Sequence, residues 1–241
     1  MMSYIKKSEL KGMLKNKLEA KYCNIGFKLI SNKNRLYKNL NGGLLMLDYK
    51  IDDAYNFEKN EIAWGVEVYF FIGFEVVHKW FEPFENRNRN DYKYYWTYGN
   101  SLDNITGNKF QVDVDEPNIE RFLENLIDKV DVSFKRFFEA NKDLSNLYHN
   151  KVPVSIKNID DVKNMRSFNM RTAIEILTIA RILNEKNFEE LIELFKYRIK
   201  ELVEVGDPMA KHLYPKFNEI IETLKIKDFS NSILSLKFDS L

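Results

Sequence analysis

The chain has one cysteine, Cys23, in 241 residues, so no intrachain disulfide can form. It has no apolar run approaching the roughly 20 residues that span a bilayer. Its first ten residues are polar and lysine-bearing, without the apolar centre of a secretory signal. These absences predict a cytoplasmic protein with no membrane partner. They also make Asn104-Ile105-Thr106 a chance match to a glycosylation acceptor. Net charge is nearly absent, at +1, which excludes a global electrostatic attraction to nucleic acid. The three histidines, His78, His149 and His212, are far apart and form no spaced His/Cys motif. No glycine-rich phosphate loop, nucleophile elbow or Cys–His pairing is present. The chain is therefore expected to carry no metal or cofactor and to be no enzyme.

What it does contain is a folding composition. Hydrophobic residues make up 44% and aromatics 14%, enough for a Phe- and Tyr-rich core. Charge is unevenly spread. Residues 1–50 hold eleven bases and three acids, whereas residues 101–131 hold eight acids and three bases. The two segments are complementary, and either pair with each other or face different partners. Of the 37 basic residues 28 are Lys, and Asn occurs 26 times, which is also what an AT-rich genome encodes.

The periodicity predicts an α+β fold. Ile5, Leu10, Met13, Leu14 and Leu18 predict a helix over 5–20. Short strands follow at about 26–31, 35–40 and 44–51, with a hairpin turn at Asn41-Gly42-Gly43. From Ile62 to Val77, strict alternation sets Trp64, Val66, Val68, Phe70, Ile72, Phe74 and Val76 on one face. A polar loop over 83–90 then leads to an aromatic strand, Tyr92 to Tyr98. Pro117 is expected to open a long helix. Its stripe, Ile119, Phe122, Leu123, Leu126, Ile127, Val130, Phe134, Phe137 and Phe138, would cover the sheet. Beyond a connector at 151–161 only helices are expected. One spans 168–184, and a second is capped by Asn187 with Glu190 and ended by Gly206. A third is opened by Asp207-Pro208 and split at Pro215. The organisation expected is an antiparallel meander domain over 1–150 and a helical extension over 151–241, possibly sharing one core.

Gly26-Phe27-Lys28 after the first helix, Leu36-Tyr37-Lys38, and the strand Gly65-Val66-Glu67-Val68-Tyr69-Phe70 resemble a bacterial family, domain of unknown function 4304. The order helix, meander, long helix fits too. The resemblance covers about residues 5–145 and leaves the C-terminal helices outside. It implies a bacterial α+β domain of accessory or immunity type and carries no catalytic residues.

Four chemistries compete for the surface. Asp48-Tyr49-Lys50 has the acid-x-Lys form of a metal-dependent nuclease half-site, with Glu19 as a further acid. The hairpin strand beside it offers Asn32, Asn34 and Arg35 where another acid is needed, and Asp91-Tyr92-Lys93 matches the pattern equally well. Asp113, Asp115 and Glu116 suit either a hard cation or a helix cap. Nucleic acid would be bound by Lys11, Lys15, Arg87 and Arg89, with bases stacked on the aromatic strand. The preferred expectation is a protein partner gripped by Arg87, Arg89, Tyr92, Tyr94, Trp96 and Tyr98, which are interface-type residues. The expected role is occlusion of that partner, as in immunity or defence-accessory proteins.

Overall fold

The computed structural model describes residues 4–85, 95–151, 159–163 and 169–238. In chain order the elements begin with α1 (Lys7–Tyr22), β1 (Lys28–Ile30), β2 (Arg35–Leu40), β3 (Gly43–Asn56), β4 (Glu61–Phe74) and α2 (Glu75–His78). They continue with β5 (Tyr98–Ser101), α3 (Leu102–Thr106), β6 (Phe110–Asp113), α4 (Ile119–Asn141) and α5 (Leu144–Lys151). The last are α6 (Ile159–Lys163), α7 (Met170–Ile182), α8 (Phe188–Glu204), α9 (Pro208–Leu213) and α10 (Phe217–Ile226). The protein is α+β: an antiparallel sheet packed with helices, followed by C-terminal helices. The chain forms two compact units. The first holds Met1–Ile72, Tyr98–Ala140 and Lys237–Leu241, and the second Gly73–Thr97 and Asn141–Leu236.

In the first unit the strands run in the order β1-β2-β3-β4-β5, with β6 also pairing β4. The β2–β3 register closes at Leu40↔Gly43, so Asn41 and Gly42 form the turn, with Gly42 at φ 80°. That positive φ is open to glycine at no steric cost. Along β4, Val66, Val68, Phe70 and Ile72 are all buried, as the alternation predicts. Helices cover this face. α1 buries Leu10, Leu14, Leu18 and Tyr22, and α4 buries its stripe from Leu123 to Phe138. The Phe134 ring joins these layers, at 5.7 Å from Tyr22, 5.8 Å from Phe27 and 5.4 Å from Phe70. Such edge-to-face and tilted contacts add to the area each ring removes from water.

The complementary charged segments pair with each other. Lys17 lies 2.8 Å from Glu120, and Lys21 lies 3.5 Å from Asp131, which Lys135 also approaches. These contacts neutralise part of the basic stripe on α1.

Two expectations for the strands need correction. The Ile62–Val77 strand ends at Phe74, because Glu75 to His78 turn into α2, so Val76 leaves the sheet. The strand at 92–98 is, among the described residues, only the four-residue β5 from Tyr98. The Phe74 amide donates to the Thr97 hydroxyl (2.9 Å) instead of to a strand carbonyl, so the ladder stops at Ile72↔Tyr98.

In the second unit, helix ends follow their sequence signals. Asn169 caps α7 through Thr172 N (3.0 Å), and Asp207 caps α9 through Ala210 N (2.7 Å). α8 closes with Gly206 at φ 93°, its N–H bonded to Val203 O while Asp207 N–H bonds Leu202 O. A 3-10 turn at Tyr214–Lys216, containing Pro215, separates α9 from α10. The predicted Asn187 cap fails. Asn187 sits at φ −90°, ψ 13° and makes no side-chain cap bond. A cap needs extended backbone, and α7 ends so close by, with Asn184 left-handed at φ 55°, that the connection stays turn-like. Among the described residues, no helix is long and apolar enough to cross a membrane.

Candidate functional site

The predicted site residues have different fates. Arg87, Arg89, Tyr92 and Tyr94 lie outside the described residues, as does Asp91-Tyr92-Lys93. Trp96 is 42% exposed, with the Arg171 guanidinium 5.9 Å from its ring centroid. Tyr98 opens β5 half-buried and stacks on Phe137 at 5.9 Å, with rings 8° from parallel. Burial pushes its hydroxyl pKa up. Lys11 is exposed on α1 and Lys15 is half-buried.

The nuclease half-site is occupied by the protein itself. Arg35 faces Asp48 across β2–β3 and binds both its oxygens, Nε at 2.6 Å and Nη2 at 2.5 Å. Lys50 is held by Asp52 (2.7 Å) and Glu67 (2.9 Å). Among the described residues, no group of three metal-ligating side chains is assembled.

The second unit contains a buried polar network that the sequence reading missed. His78, Thr97 and Glu175 are buried, with Lys151, Arg171 and Glu85 beside them. Arg171 Nε donates to Glu175 Oε1 (3.1 Å), and Lys151 donates to Glu175 Oε2 and to Thr97 O (2.5 Å). Arg171 Nη2 lies 3.3 Å from His78 Nδ1, and Thr97 Oγ1 lies 3.0 Å from His78 Nε2. Guanidinium only donates, so in a hydrogen bond with Arg171 the Nδ1 atom is the acceptor; Nδ1 also lies 3.9 Å from Glu175 Oε1. Glu85 and Glu175 thus face Arg171 and Lys151 in one buried cluster. No local signal marks this network, since His78 and Arg171 are 93 residues apart.

The first unit presents a different feature, the tip of the β3–β4 hairpin. Phe57 is 86% exposed, Ile62 58% and Tyr55 39%. The tip is nevertheless firmly built. Asn56 Oδ1 accepts from Glu58 N (3.1 Å) and Lys59 N (3.2 Å), an Asx turn. Asn60 takes the left-handed conformation at φ 57°, and its side chain accepts from Tyr55 Oη at 2.5 Å. Asp113 on β6 anchors the turn, accepting from Asn56 Nδ2 (2.9 Å) and Lys59 Nζ (2.5 Å). The Lys59 and Asn56 hydrogen bonds hold the Asp113 carboxyl below the usual carboxylate range. Lys59 in turn is pushed up by Asp113 first, and also by Asp115 and Glu61. Of the acids considered for a cation, Asp113 serves this anchor and Glu116 accepts from Asn118 N (2.9 Å) at the start of α4. A large aromatic in an otherwise polar turn was the available sequence signal.

No family model, curated protein or solved structure matches the chain.

Proposed function

We propose that the protein is a non-enzymatic binding protein that docks a protein partner through the β3–β4 hairpin tip and occludes part of that partner's surface, in the manner of an immunity or defence-accessory protein. The observation that carries this reading is Phe57, 86% exposed on a turn fixed by Asn56, Asn60 and Asp113. Exposed large aromatics on a rigid turn lose little conformational freedom on binding, so the area they bury converts efficiently into affinity. Trp96, 42% exposed, stays a candidate contact within the same role. The exposed Lys11 and half-buried Lys15 keep nucleic acid as the alternative partner.

The test is affinity capture from a lysate of the source organism on immobilised full-length protein, wild type against Phe57→Ala. A hot-spot aromatic costs at least about 2 kcal/mol on truncation, roughly 30-fold in affinity. The expected result is a protein partner retained by the wild type and lost with the variant. Phe57 touches little within its own fold, so the variant should melt as the wild type does. A chain that captures no protein, yet cuts or retards nucleic acid, contradicts the proposal.

A further inference from the structure

The hairpin tip carries a charge pattern as well as an apolar one. Tyr55 and Phe57 meet edge to face at 5.1 Å, with Phe57 and Ile62 open to solvent. The turn residues 58–61 and the facing end of β6 hold four acids, Glu58, Glu61, Asp113 and Asp115, and one lysine, Lys59, while Lys6 and Lys7 lie nearby, just after the Ile5 N–H that bonds Val114 O, with Lys7 paired to Asp53. Within those two segments acid exceeds base by three charges, on a chain whose overall charge is +1. Glu58 and Glu61 are exposed, and Lys59 is already bound to Asp113.

From this geometry we infer that the docked partner presents a Lys/Arg-rich surface, of the kind that binds nucleic acid, and that the tip enters it in place of the polyanion. The inference rests on the docking reading and adds the chemistry of the occupant. Acidic side chains at the rim draw a basic surface in and raise the association rate. The aromatic rings supply faces for guanidinium and ammonium groups, which are attracted to the ring quadrupole. Nucleic acid itself is repelled from the tip by the same acids. An acidic or uncharged partner would leave the rim carboxylates facing like charge or losing water without compensation.

The probe is a nuclease-treated lysate of the source organism split on heparin–agarose into the salt-eluted, polyanion-binding proteins and the flow-through. Each fraction is passed over the immobilised full-length protein, over Phe57→Ala, and over the charge-reversed Glu58→Lys/Glu61→Lys variant. Captured proteins are identified by mass spectrometry, and association is measured as a function of salt. The expected result is a Phe57-dependent partner from the heparin-binding fraction, with association slowed about tenfold by charge reversal and by raising salt through the physiological range. Soluble heparin should compete with the protein for that partner. A Phe57-dependent partner that comes from the flow-through, or binds independently of salt, overturns the basic-partner inference while the docking reading stands. Absence of any Phe57-dependent protein in either fraction overturns both. Direct retention of purified nucleic acid added in a separate run, unchanged by Phe57→Ala, also overturns both.

Discussion

Replacing Glu175 by Gln tests whether the buried network in the second unit is an ion network or a set of loosely placed charges. The carboxylate side chain is 8% exposed, and its two partners, Arg171 and Lys151, are 13% and 10% exposed. Gln keeps the volume and one acceptor oxygen. Its amide group, however, turns hydrogens toward whichever cation the other oxygen served. One buried cation then loses its counter-charge. Breaking a buried pair on one side costs about 3–5 kcal/mol. Here the lower end applies, because Lys151 retains the Thr97 carbonyl and Arg171 retains Glu85 at 3.8 Å. At a urea dependence of about 2 kcal/mol/M, a loss of about 3 kcal/mol lowers the unfolding midpoint by roughly 1.5 M. Adding Lys151→Met to Glu175→Gln should recover part of the loss, since it removes the stranded charge. A loss below about 1 kcal/mol would instead mark a solvent-screened pair, since that is what such a pair contributes.

Two further outcomes follow from the first unit. Phe134→Ala should cost about 3–5 kcal/mol in urea unfolding, because it leaves a cavity between Tyr22, Phe27 and Phe70 that the layers cannot fill by collapse. Asp113 ionises more readily in the folded chain than its ordinary value of 3.8, chiefly through the Lys59 hydrogen bond. A lowered carboxylate pKa stabilises above the unfolded value and loses that contribution as pH falls through the folded one. Amide exchange protection of Glu58 and Lys59 should therefore hold steady above about pH 5 and decline only below about pH 4. A decline already at pH 6 would assign the anchor to another group.

The features legible in the sequence are those set by neighbours along the chain. Asn41-Gly42 supplies the left-handed turn, Gly206 closes α8, and Asp207-Pro208 opens α9. The α4 stripe is visible because its residues repeat at helical spacing and do face the core. What was hidden depends on contacts distant in sequence. Alternation continues past Phe74 through Glu75 and Val76, yet α2 starts there because Thr97, 23 residues on, takes the Phe74 amide. The network around Glu175 gathers residues from five separate stretches and has no motif. The hairpin tip was obscured differently. β3 extends to Asn56 through Asp52 and Asp53, residues with low strand propensity, so the strand was read as ending at Ile51. A strand that stops at Ile51 leaves Phe57 without a sequence signal, and of the interface-type residues Arg87, Arg89, Tyr92, Tyr94, Trp96 and Tyr98 only the last two are described.

A partner seated on the β3–β4 tip must lie within reach of a probe placed there. The most direct measurement is photo-crosslinking in a lysate of the source organism, with p-benzoylphenylalanine incorporated in place of Phe57 or, separately, in place of Trp96. A discrete protein adduct is expected from position 57, made by a basic protein and suppressed by Glu58→Lys/Glu61→Lys. An adduct formed only from position 96, or none from position 57 while the folded protein still captures a partner, would contradict it.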